Sequence, residues 1–72
     1  MEKNFTFNNG EIVSIKKKFN SENNTYLTQM MFKGLDSEEK NATVSFQKEE
    51  ERDIMFENYS IDTAIDFANF IR

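Results

Sequence analysis

The sequence predicts an α+β domain in which an antiparallel meander of four or five strands carries one C-terminal helix on one face. Three observations lead there. Apolar residues alternate with polar ones in three separate stretches, Asn-Gly stands between the first two extended runs, and the last dozen residues change to helical spacing behind a serine.

The first element is extended around Phe5-Thr6-Phe7 and turns at Asn8-Asn9-Gly10, where glycine accepts the positive φ of a hairpin. The second and third strands are expected at Glu11 to Phe19 and Tyr26 to Lys33, joined by the polar segment Asn20 to Thr25. Their register follows from what must be buried. Placing Val13 opposite Phe32, Ile15 opposite Met30 and Phe19 opposite Tyr26 collects the large apolar residues on one face, whereas a one-residue slip scatters them.

Gly34 to Asn41 forms an acidic turn, after which Ala42, Val44 and Phe46 alternate with Thr43, Ser45 and Gln47 as a fourth strand. Ile54 and Phe56, two apart, suggest a short fifth strand, with a helical turn through Glu49-Glu50-Glu51 as the alternative. Ser60 is a ready N-cap and Asp62 suits the positive end of a helix dipole, so Ile61 to Ile71 is expected to be helical. Ile61, Ala64, Ile65, Ala68 and Ile71 would then form its buried stripe, with Phe67 at the margin and Phe70 pointing away.

With 72 residues the chain has material for a single core, so one domain over 1–72 is expected. Eight Phe and two Tyr supply that core. There is no Cys and no His, which removes disulfide staples, the usual zinc ligands, the thiolate nucleophile and the commonest general base. The acids Glu11, Glu22, Asp36 and Glu57 stand in turn-like or strand-edge contexts with nothing to shift them, so no enzyme, cofactor or metal is expected. Asn20-x-Glu22-x-Asn24 has the alternating oxygens of a calcium loop but lacks its glycine and its later bidentate glutamate.

The absence of any long apolar run argues against a membrane span or secretion signal, so a cytoplasmic protein is expected, and the Asn-x-Ser/Thr triplets at Asn4, Asn23, Asn41 and Asn58 carry no weight. The abundance of Asn, Lys, Ile and Phe is that of AT-rich coding DNA, as in a low-GC bacterium or its phages and mobile elements. Net charge is −4, divided between a basic half to Lys33 (+2) and an acidic half from Gly34 (−6).

These features point to contact rather than catalysis. Leu27 and Met31, joined by Ile12 and Met55, are expected on the sheet face away from the helix, and with Phe70 they have no assigned core. Glu49, Glu50, Glu51 and Asp53, with Asp36, Glu38 and Glu39, offer a negative ridge suited to a basic cleft, such as that of a nucleic-acid enzyme. The expected function is therefore a protein-binding regulator or inhibitor acting on a host or phage protein. In size, composition and charge the chain resembles small acidic regulators carried by phages and mobile elements, a likeness that includes no motif. Two alternatives are a nucleic-acid-binding protein using Lys16, Lys18 and Tyr26, and a homodimer or subunit that covers the outer sheet face with a copy of itself.

Overall fold

The computed structural model describes all residues from Met1 to Arg72. Four strands, β1 (Glu2–Thr6), β2 (Ile12–Asn20), β3 (Thr25–Lys33) and β4 (Glu39–Phe46), precede two helices, α1 (Glu49–Glu57) and α2 (Ile61–Ile71). The sheet is an antiparallel meander in the order β1-β2-β3-β4, with both helices on one face.

The expected register holds: Val13 faces Phe32, Ile15 faces Met30 and Phe19 faces Tyr26. Burial favours it, because it puts Val13, Ile15, Met30 and Phe32 on the core face and also sets them directly opposite one another. Both outer hairpins turn by the same device. Gly10, at φ +96°, donates its N–H to Phe7 while Phe7 donates to Glu11, and Ser37, at φ +67°, repeats the pattern against Gly34, with Gly34 donating to Glu38. Each is a turn followed by one left-handed residue that restores the right-handed twist of the strands.

The expected fifth strand is a helix, so the single C-terminal helix becomes two. Ile54 and Phe56 suggested period 2, but Arg52, Met55, Phe56 and Tyr59 recur at i, i+3, i+4 and i+7 and form the face that α1 and its exit turn toward the sheet. α1 has no side-chain cap at Lys48; Glu49, Glu50 and Glu51 occupy its first turn, where carboxylates favour the unsatisfied N–H groups. Met55 consequently lies beneath the helix, accepting a hydrogen bond from Thr28 Oγ1 at 3.3 Å, and not on the outer sheet face.

α2 starts at Ser60 with a reciprocal capping box, Ser60 and Thr63 each bonding the other's backbone N–H. Its buried line differs from the expected one. Ala64 and Ala68 are fully buried with Phe67 and Ile71 beside them, while Ile61 and Ile65 stay 45% and 42% exposed. The helix is rolled by roughly 50° from the hydrophobic centre of the sequence stripe. The small alanines let its backbone approach a sheet already filled by Phe5, Val13 and Phe32, and the bulky isoleucines are left at the side.

Candidate functional site

The contact features predicted from sequence lie on different layers. Leu27 and Met31 are on the outer sheet face with Ile12, each half-buried among polar neighbours: Lys18 and Ser45 flank Leu27, and Ser14 and Asn41 flank Met31. Phe70 is 84% exposed on α2, on the helix side. Leu27, Met31 and Phe70 therefore do not share one surface. Ile61 and Ile65 instead line an open groove of about 540 Å³ with Phe7 and Ala68, rimmed by Asn8, Asn9, Asn69 and Arg72.

The acids divide similarly. Glu49, Glu50 and Glu51 are exposed at the start of α1, next to the end of β4, whereas Asp36, Glu38 and Glu39 lie at the β3–β4 turn. The length of β4 separates the two groups by roughly 20–25 Å at about 3.3 Å per residue. They do not form one continuous ridge, but they bracket the same edge strand. Asp53, unlike Glu50 and Glu51 before it, is engaged within the fold. Its carboxylate accepts from Lys17 Nζ at 3.2 Å and from Arg52 at 3.1 and 3.2 Å; burial pushes its pKa up, yet those hydrogen bonds outweigh it and hold the group below the ordinary aspartate value.

Arg52, missed by the sequence reading, is buried and joins three layers of contact. It donates to the Lys18 carbonyl at 2.9 Å, pairs with Asp53, and lies 5.2 Å from the Tyr26 ring, which in turn packs on Phe19 at 5.0 Å. Tyr26 is thus on the helix-covered face, while Lys16 and Lys18 project from the other. The three residues named for nucleic-acid binding do not share a surface, and Lys16 also faces Glu2 at 4.0 Å.

The other cations of the covered face are engaged too. Lys3 Nζ donates to the carbonyls of Phe56, Glu57 and Tyr59 at 2.7, 3.2 and 3.3 Å, Lys40 Nζ donates to Ile71 O at 3.2 Å, and Arg72 is ion-paired with Glu11. The Arg72 guanidinium, followed by the Asn9 amide, holds the Glu11 carboxyl below the usual glutamate value. Of nine cations, Lys18, Lys33 and Lys48 alone make neither an ion pair nor a side-chain hydrogen bond. Of thirteen carboxylates, Glu2, Glu11, Glu49 and Asp53 are in ion pairs, which leaves nine outside any.

No group of three or more Asp and Glu side chains is arranged to hold a metal ion, and no helix is long and apolar enough to cross a membrane. The layers define an α+β meander with two helices on one face and a largely unpaired acidic rim. Set beside known proteins, the chain matches no family model, no curated protein and no solved structure.

Proposed function

We propose that this protein is a non-enzymatic interaction module, a regulator or inhibitor that recognises a basic surface on a protein partner. One observation carries this reading: nine carboxylates without an ion pair surround a fold that uses most of its own cations internally. Such a surface accelerates encounter with a positive cleft and repels nucleic acid. The Leu27 and Met31 face adds apolar area beside this rim. An AT-rich coding bias supports a source in a low-GC bacterium or one of its phages, where a host enzyme with a basic cleft is the natural target.

The test is capture from low-GC bacterial lysate on the immobilised protein, compared with a Glu49→Gln/Glu50→Gln/Glu51→Gln variant, an Asp36→Asn/Glu38→Gln/Glu39→Gln variant and Leu27→Asp. The expected result is retention of a basic protein that falls with salt and in both neutralised variants. Retention indifferent to salt and to all three changes would overturn the reading.

A further inference from the structure

The β4 edge is open. Gly34 donates to Glu38, and bonding positions on an antiparallel strand recur every second residue, so Lys40, Ala42, Val44 and Phe46 bond to β3. Asn41, Thr43 and Ser45 therefore direct their N–H and C=O groups away from the sheet, and all three are exposed. Natural edges are blunted by charge, proline, bulges or brevity. β1, the other edge, is five residues long and begins with Glu2 and Lys3. β4 is eight residues long and also begins with Glu39 and Lys40, but the six residues that follow, Asn41 to Phe46, contain no charge and no proline, against three such residues in β1.

We propose that β4 is the docking edge for the basic partner, which adds an extended segment there as a fifth strand of the sheet. This inference rests on the proposed function and specifies its mode of contact. Two features select the occupant. The unpaired backbone groups call for another strand, and Asp36, Glu38 and Glu39 at one end with Glu49, Glu50 and Glu51 at the other call for cations flanking an uncharged centre. A second copy fits poorly, because pairing β4 with itself in either direction brings acidic ends against acidic ends.

The probe is a synthetic peptide with lysine pairs at both ends of a threonine–valine repeat long enough to span β4, followed by amide hydrogen exchange and nuclear magnetic resonance shifts. Saturating peptide should slow exchange at Asn41, Thr43 and Ser45 by about tenfold or more. Thr43→Pro, which removes an outward N–H that β3 does not use, should abolish this protection, as should alternate N-methylation of the peptide, a change that leaves the protein's folding untouched. Neutralising either acidic group should weaken binding about tenfold. Binding that persists with N-methylated peptide and without protection at those amides would overturn the edge while leaving the basic-partner reading intact. No binding would overturn the edge, and equal binding of a peptide with glutamates in place of the lysines would overturn both. Concentration-dependent protection without peptide, together with a dimer in sedimentation, would replace the partner with a second copy and overturn the inference.

Discussion

Lys3→Met should destabilise this domain more than any other lysine replacement. The Lys3 ammonium bonds three carbonyls where α1 ends and lies 4.9 Å from the Phe56 ring centre. α1 has no basic residue in its own last turn, so this strand lysine is the cation at the negative end of the helix. A hydrogen bond to a charged donor contributes about 1.5–3 kcal/mol, and a cation at a partly buried helix terminus up to about 2 kcal/mol. These describe overlapping parts of one interaction. With about 0.5–1 kcal/mol for the ring contact, the expected loss is about 2–3 kcal/mol.

Methionine retains the apolar stem against Phe56, so the loss isolates the charge. For a chain of this size each kcal/mol moves the melting temperature by about 4–8 °C, giving a fall of roughly 8–24 °C. Thermal and urea unfolding should show the lower midpoint with an unchanged denaturant slope. Lys18→Met, on the exposed sheet face, is the control and should stay within about 0.5 kcal/mol of the parent. A Lys3→Met protein melting as the parent does would refute the assignment of this cation to the helix end.

Stability should fall in acid, because Glu11 and Asp53 both titrate lower when folded than when unfolded. Their contribution is complete above about pH 4.3, the ordinary carboxylate range, and disappears as pH drops through the folded values. Urea midpoints measured down the pH scale should show this, and Arg72→Gln should flatten the Glu11 part. Tyr59 is pushed up to about 12 by burial, and its buried hydroxyl has no hydrogen-bond partner. Stability should therefore decline as pH rises above about 10, where the unfolded tyrosine ionises first, and Tyr59→Phe should remove this limb while stabilising the neutral protein by about 1 kcal/mol in thermal unfolding. Ser60→Ala should cost about 1 kcal/mol in the same assay by deleting the α2 cap, and an unchanged midpoint would show the capping box to be idle.

The strands were legible because period 2 is local and the register is the one that sets large apolar residues opposite each other, Val13 with Phe32, Ile15 with Met30 and Phe19 with Tyr26. α1 was legible only as the alternative, a helical turn through Glu49-Glu50-Glu51, because its face includes Arg52, and a charged residue breaks an apolar stripe when read without its partners. In the fold, Arg52 is buried against Tyr26, Asp53 and the Lys18 carbonyl, so it behaves as part of the core. The same blindness affected the docking residues. Asp53 looked like the tail of an acidic tract, but the helix turns it toward Lys17, thirty-six positions away in sequence. The roll of α2 depended on the small volume of Ala64 and Ala68 relative to the sheet beneath, a quantity that periodicity does not contain.

The division of the sequence into a basic first half and an acidic second half acquires a different meaning in three dimensions. Lys3 reaches the end of α1 and Lys17 reaches Asp53, so basic strands neutralise groups in the later helices; Lys40 at the end of α2 repeats the device from β4. The halves are complementary layers of one fold before they are surfaces for a partner. The four ion-paired cations are matched by four paired carboxylates, which leaves nine carboxylates against five cations, and two of those five, Lys3 and Lys40, are engaged with helix-end carbonyls. The carboxylates at the two ends of β4 lie apart from those pairs, except for the exposed contact of Glu49 with Arg52. A basic segment can therefore approach this edge without first breaking Lys17–Asp53 or Arg72–Glu11, and the charge proposed to attract a partner is largely separate from the charge that holds the layers together.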